Sequence, residues 1–399
     1  MKHLAVLAAL LAPVPAIAEV NPSDWDSVTA AASGQTVYWN AWGGSTTTND
    51  FIAWVGSRVA EDYDVTLEHV KLTDTADAVT RVLSEQQAGK DEDGAIDMIW
   101  INGANFSAMK DASLLFGPYA EELPNWAVVD TEGKTVQTDF TVPVEGFESP
   151  WAMAQVVFIH DTADLAEPLG DMNAILEWST AHPGRFTYPQ PPDFLGTTFL
   201  KQALVDLIDD PAVLAQPATD ENYDVVTAPL WDFLEALTPT LWREGRAYPA
   251  TGTAQLQMIA DGEVDLAVSF SPGEASTAIA NNQLPDTVRT FVLDKGTIGN
   301  ASFVAIPYNS GSKEGAMVVA NFLMSPEAQV RAQDPAILGY GTVLDMEAIT
   351  TEERALFDGL ELGIATLSPA ELGTVQDEPH GSWMTRIADD WTQRYGVAQ

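Results

Sequence analysis

The sequence predicts an α/β fold, and three observations predict it. Strand-like and helix-like patterns alternate along the chain, as βαβ units do. Ile96–Ile101 reads as an apolar strand of the kind buried on both faces of a parallel sheet. Hydrophobic residues make up 46% of the 399, enough for a large core despite a net charge of −40, so a disordered chain is excluded.

The elements follow in order. Lys2 and His3 precede the small, apolar run Leu4–Ala12, and Ala16-Ile17-Ala18 offers a small-x-small cleavage site before Glu19. This is a secretory signal peptide over residues 1–18. Its apolar run is well short of the roughly 20 residues that span a bilayer, and Pro13 and Pro15 break it. Thr36–Trp39 then reads as a strand ending in Asn40-Ala41-Trp42-Gly43-Gly44-Ser45. Thr48-Asn49-Asp50 supplies caps for a helix through Ala60. Val65–Val70 is a second strand. Asp74-Thr75-Ala76-Asp77 opens a helix whose Ala78, Val79, Val82 and Leu83 share one face. Ile96–Ile101 runs into Asn102-Gly103-Ala104-Asn105-Phe106, the start of the next helix.

A second set begins at Trp151. Trp151–His160 reads as a strand, Asn173–Thr180 as a helix and Gly184–Tyr188 as a short strand. Thr197 or Thr198 caps a helix to Ile208. Pro229–Leu237 and Ala254–Asp261 are helical. Val264–Phe270 and Ser302–Ile306 are strands, and the chain after Ser312 is helical with Gly and Pro breaks. No repeat and no Pro/Gly-rich linker separates two halves, which points to lobes that exchange chain.

Composition narrows the partners and the compartment. There is no cysteine, so a disulfide scaffold, a thiolate nucleophile and a lipid-bearing lipobox are all excluded. An exported chain with neither anchor nor lipid fits a Gram-negative periplasm. With 58 Asp+Glu against 18 Lys+Arg, the surface is a poor partner for nucleic acid or anionic membranes. The ordinary consequence of such charge is a solvated acidic coat; its field also favours a cationic ligand.

Asp261–Gly273 (DGEVDLAVSFSPG) resembles the strand by which type II periplasmic solute-binding proteins return to their first lobe. Ser302–Pro307, Lys313–Leu323 and Ser325-Pro326-Glu327-Ala328-Gln329 resemble their late strand and helix pair. Trp39–Gly44, Asp97–Phe106, Pro150–Asp161 and Pro192–Leu200 are similar to the YnjB-type branch of ABC-transporter substrate-binding proteins, which is related to thiamine-, polyamine- and ferric-iron-binding receptors. The resemblance implies a two-lobed fold with mixed sheets flanked by helices, a crossed hinge, a small-molecule ligand in the cleft and an ABC permease in the inner membrane as partner. Lobe 1 is expected over 19–149 plus 264–308, and lobe 2 over 150–263 plus 309–399. The chain is expected to be monomeric and to use no cofactor.

In open α/β sheets, ligands sit beyond the carboxyl ends of the strands. The side chains there are Trp39, Asn40 and Trp42 after the first strand, and Asn102, Asn105 and Phe106 after the third. Trp151 lies near the lobe crossing, Tyr188 and Tyr248 in the second lobe, and Ser271 after the returning strand. Gly196 and Thr197 present amides at a helix start. Flat aromatic walls with a few orienting polar groups suit a small-molecule pocket. Each position also has a plainer reading: Trp39 as core, the Asn pair as helix caps, Phe106 as a staple and Thr197 as an N-cap. Asp193 and Glu274 could meet a cation, although in so acidic a chain a solvated carboxylate is the commoner case.

Catalytic motifs are missing: there is no Gly-x-Ser-x-Gly, no His-Glu-x-x-His and no phosphate-binding loop. His69, His160, His182 and His380 lack metal-ligand spacing, and Asp91-Glu92-Asp93-Gly94 reads as an exposed turn. The expectation is therefore a periplasmic receptor for a thiamine- or polyamine-like organic cation. The alternative is a secreted α/β hydrolase acting through paired carboxylates, which need no short motif.

Overall fold

The computed structural model describes residues 20–396; the expected signal peptide lies outside them. The first stretch contains α1 (Trp25–Ala32), β1 (Thr36–Trp42), α2 (Thr46–Tyr63), β2 (Thr66–Leu72), α3 (Ala76–Gln87), β3 (Met98–Ile101) and α4 (Ala104–Asp111). A small hairpin, β4 (Thr138–Asp139) and β5 (Val142–Pro143), precedes β6 (Glu148–Gln155) and β7 (Val157–Asp161). Next come α5 (Met172–Ala181), α6 (Phe194–Leu207), α7 (Tyr223–Leu237), α8 (Gly252–Ala260), β8 (Leu266–Ser269), α9 (Glu274–Ala280), β9 (Val288–Phe291) and β10 (Thr297–Ala305). The chain ends with α10 (Lys313–Leu323), α11 (Pro326–Gln333), α12 (Thr351–Asp358), α13 (Pro369–Leu372), β11 (Val375–Gln376) and α14 (Gly381–Tyr395).

Side-chain periodicity explains the first sheet. Val37, Trp39 and Ala41 of β1 point into the core, while Tyr38 and Trp42 point out, the period-2 signature of a strand. Behind β1, α2 turns Phe51, Ile52, Val55 and Val59 inward. Its N-cap is Ser45, not the later Thr48–Asp50 expected from sequence, because the Ser45 hydroxyl accepts the Thr48 amide. β1 lies parallel to β2 and β3, whereas β10 runs antiparallel to β3 and β6. The spatial order is β11-β10-β3-β1-β2, with β6 on β10. A second, three-stranded sheet is antiparallel throughout, in the order β8-β7-β9.

Trp151–His160, expected as one strand, is two strands in different sheets. They break at Val156, whose amide bonds the Ile298 carbonyl at 2.7 Å. There the chain leaves the large sheet for the small one, and β10 brings it back. The expected return at Val264 is corrected: β8 pairs with β7 from Val157↔Ser269 to His160↔Leu266, inside the small sheet. α10 and α11, expected in lobe 2, supply Ala316–Ala320, Phe322, Leu323 and Ala328 to the core around Trp39 and Trp151. An apolar strand or an all-round apolar helix is buried equally well in either lobe, so local pattern does not name its partner. The second large core gathers Phe158, Phe199, Leu204 and Leu234, together with Trp383 and Trp391 of α14.

Candidate functional site between the two sheets

Where the lobes meet, the loop after α11 links the start of α9 to the start of α2 through Gly339 and Tyr340, and the start of α14 lies against the start of α4. The Gly273 amide donates to the Gly339 carbonyl at 3.1 Å, and the Thr277 hydroxyl donates to the Pro335 carbonyl. A Cβ on Gly273 would lie 2.4 Å from Gly339 Cα, so this backbone-to-backbone approach requires glycine.

Next to that contact stands an aromatic group. Trp151 packs edge-on to Trp100, with ring centres 4.8 Å apart, and lies 5.8 Å from Tyr340. Trp100 and Tyr340 remain partly exposed, whereas Trp151 is fully buried. The Tyr340 hydroxyl is hydrogen-bonded to Thr48 in the first turn of α2 and lies near Glu274 of α9. Burial is the main cause that pushes its pKa up to about 12. Burial likewise raises the Glu274 carboxyl, against the opposing hydrogen bond donated by the Ser269 hydroxyl.

A buried charge cluster lies elsewhere along the lobe interface. Lys201 of α6 meets Glu378 at 2.5 Å, and both side chains are almost wholly inaccessible. Asn300 of β10 donates to the other Glu378 oxygen at 3.0 Å. Lys201 Nζ also stands 4.4 Å from the centre of the Phe140 ring and 5.6 Å from that of Phe194. Asp139 accepts the Gly103 amide at 2.5 Å. Burial, together with the nearby Glu378 charge, lifts its pKa to about 8 against the hydrogen bonds of Gly103 and Asn102 and the pull of Lys201.

One helix start is already satisfied by the chain's own acid: Asp193 caps α6 by accepting the Leu195 and Gly196 amides at 3.0 and 3.2 Å. An anion would find that positive end occupied. The start of α4 has no side-chain cap; of the backbone amides there, Asp139 reaches only that of Gly103, before the helix.

The residues singled out from sequence separate into two groups. Trp42 is 36% exposed, its indole folded over Gly44, where a Cβ would come within 2.4 Å of the ring. Asn102 bridges to the Ala301 carbonyl of β10 at 2.7 Å, and Asn105 is half-buried in the first turn of α4. Ser271 follows β8 with a buried hydroxyl oxygen that has no partner. Asn40 is 5% exposed within β1. The rest are packed in the interior of the lobes. Trp39 and Trp151 belong to the first core, with ring centres 6.2 Å apart, although both indole N–H groups lack an acceptor. Phe106 is sealed between α4 and β3. Tyr188 stacks on Phe199 at 4.4 Å and accepts the Trp391 indole N–H; Tyr248 packs beside it. Gly196 and Thr197 lie inside α6, whose cap is Asp193.

Sequence reasoning missed Trp100, Tyr340, Lys201, Glu378 and Asp139. Two of these had a signal. Trp100 is the aromatic between Ile99 and Ile101, so alternation turns it to the opposite face. Lys201 is a lone cation in an otherwise apolar helical stretch. The partners of Lys201, far away in the chain, had none.

Residues 54–348 match the model of the bacterial extracellular solute-binding protein family. Protein YnjB of Escherichia coli (strain K12) is 42% identical over 375 residues, covering 94% of this chain and 95% of that protein. The chain belongs to the bacterial extracellular solute-binding proteins. Solved structures share the fold at low identity. Periplasmic binding protein AfuA of Actinobacillus pleuropneumoniae, with fructose-6-phosphate bound, superposes with a TM-score of 0.64 at 13% identity, covering 92% of this chain and all of that one. The spermidine/putrescine substrate-binding protein PotD of Streptococcus pneumoniae gives 0.58 at 15%, covering 90% and 98%. Apo ferric ion-binding protein A of Pasteurella haemolytica gives 0.61 at 13%, covering 90% and 96%. Proteins of this kind bind a small ligand and deliver it to an ABC permease, and both the family and the solved neighbours are solute-binding proteins. No helix among the described residues is long and apolar enough to cross a membrane.

Proposed function

We propose that this receptor takes up a small organic cation of thiamine- or polyamine-like character from the periplasm, holding it between the lobes for an inner-membrane permease. The observation that carries this reading is Glu274 of the second lobe standing near Tyr340 of the first, beside the half-exposed face of Trp100. A carboxylate supplies the counter-charge and the aromatic rings supply negative faces, the combination that retains an ammonium or thiazolium group. The self-capped start of α6 supports the same sign of ligand. Trp42, Asn102, Asn105 and Ser271 complete the proposed walls. Closure of the lobes would bury the ligand against groups from both, so binding shifts the receptor toward its closed form.

A thermal-shift screen tests the proposal. The purified chain is heated with thiamine, putrescine, spermidine, fructose-6-phosphate and ferric citrate. Stabilisation by a cationic amine or thiazolium is expected, because a ligand at one hundred times its Kd adds about 2.7 kcal/mol. Stabilisation by the sugar phosphate or ferric ion alone would refute the assignment.

A further inference from the structure

The Lys201 cluster joins groups from both lobes. Lys201 comes from α6, whose apolar residues pack in the second core, and Glu378 from the segment that leads from β11, at the edge of the large sheet, to α14 in the second core. Asp139 and Phe140 come from the β4–β5 hairpin on the first. The ammonium is paired with Glu378 at 2.5 Å and is capped by the Phe140 ring of the opposite lobe at 4.4 Å. The Gly103 backbone packs against that ring, since a Cβ there would lie 2.2 Å from Phe140. Next to this cluster, α14 touches α4: a Cβ on Gly381 would come within 3.3 Å of the Ala104 amide.

We infer that this cluster is a lobe latch: Asp139 and Phe140 close onto the Lys201–Glu378 pair, and the latch holds only while Asp139 and Glu378 carry one negative charge between them. Geometry gives the reason. Closure brings two buried carboxyl groups into one low-dielectric space with a single ammonium, and a second negative charge there has no partner.

The groups facing Asp139 come from every neighbouring element. They are the Gly103 amide at the start of α4, the Asn102 amide after β3, Lys201 of α6, Glu378 before α14, and Glu148 of β6. Glu148 is fully buried, with both oxygens unpartnered and only Lys110 as a nearby cation, so burial raises its carboxyl too. Asp139 Oδ1 is also without a partner. Asp139 thus holds its proton in the closed form up to about pH 8, and an opened, hydrated Asp139 releases it near pH ~4. Between those two values the closed form binds more protons. It is therefore strongest below the lower value, weakens by up to tenfold per pH unit as pH rises, and weakens no further above the upper one.

The chain has no cysteine, so two engineered ones are unique labelling sites. Ala60 on α2 and Ala181 on α5 are exposed, one on each lobe. Nitroxides on A60C and A181C report lobe separation by pulsed electron resonance at constant salt, without any ligand. The short distance is expected to dominate at pH 5.5 and a longer one at pH 9. Asp139→Asn should stay short at both values, and Phe140→Ala should stay long at both. Melting curves check that each variant is folded. Wild-type distances independent of pH, an Asp139→Asn variant that opens at pH 9 like wild type, or a closed Phe140→Ala would each overturn the latch. Because no solute is added, failure here leaves the ligand assignment untouched, and the reverse also holds.

Discussion

Replacing Lys201 with methionine isolates one half of the buried pair. Methionine keeps most of the stem that packs in α6 but removes the ammonium, leaving Glu378 with a single neutral donor, Asn300, at 3.0 Å. Removing one partner of a buried ion pair costs about 3–5 kcal/mol, because the remaining charge is stranded away from water. In a folding unit of 150–250 residues, 1 kcal/mol moves Tm by about 2–4 °C, so Lys201→Met should lower it by roughly 6–20 °C. The double variant Lys201→Met, Glu378→Gln removes the stranded charge and should recover most of that loss. Calorimetric melting of wild type, both single variants and the double variant at pH 7 gives the coupling directly. A single-variant loss under about 1 kcal/mol, or a double variant no more stable than Lys201→Met, would show that the pair behaves like a surface salt bridge and would refute the reasoning.

Three further outcomes follow from the geometry. Trp42→Ala should leave the ligand-free melting temperature nearly unchanged, since the residue is 36% exposed, yet weaken ligand binding by about thirtyfold if the indole is a wall; titration calorimetry beside a melting curve separates the two effects. Trp151→Ala should instead cost on the order of 3–5 kcal/mol of stability, read by denaturant unfolding, because it touches Trp39, Phe51, Trp100 and Tyr340 at once. Gly273→Ala places a methyl 2.4 Å from Gly339 Cα and should push the loop after α11 off α9, lengthening the distance between labels on Ala60 and Ala181 while both cores stay folded.

Much of the fold was legible because it is written in local pattern. β1 to α4 follow the alternation and the strand ends closely, and the motif resemblances agree with the family. What failed was pairing across distance. β8 and β10 are both apolar strands, and only the register with β7 or β6 shows which returns to the large sheet. The Trp151–His160 run hid a crossing at Val156, since a strand that changes sheets keeps its apolar character. Trp42, Asn102 and Asn105, expected as ligand walls from their positions after strands, keep some exposure. Trp39, Phe106, Tyr188 and Tyr248 are buried instead, for one shared reason: a large aromatic near a strand end is as readily core as wall, and burial is decided by helices elsewhere in the chain. Glu274 was noticed but not distinguished from the other acids, because nothing local shows that Tyr340 stands near it.

The most direct test of the central claim is titration calorimetry of the purified protein with the cationic ligand that emerges from the screen, on wild type and on Glu274→Gln in parallel. One-to-one saturable binding by wild type is expected, with a loss of at least tenfold in Glu274→Gln, as removal of a charged hydrogen-bond partner worth about 1.5–3 kcal/mol implies. Tight binding that Glu274→Gln leaves unchanged, or saturable binding of fructose-6-phosphate with none of any cation, would contradict it.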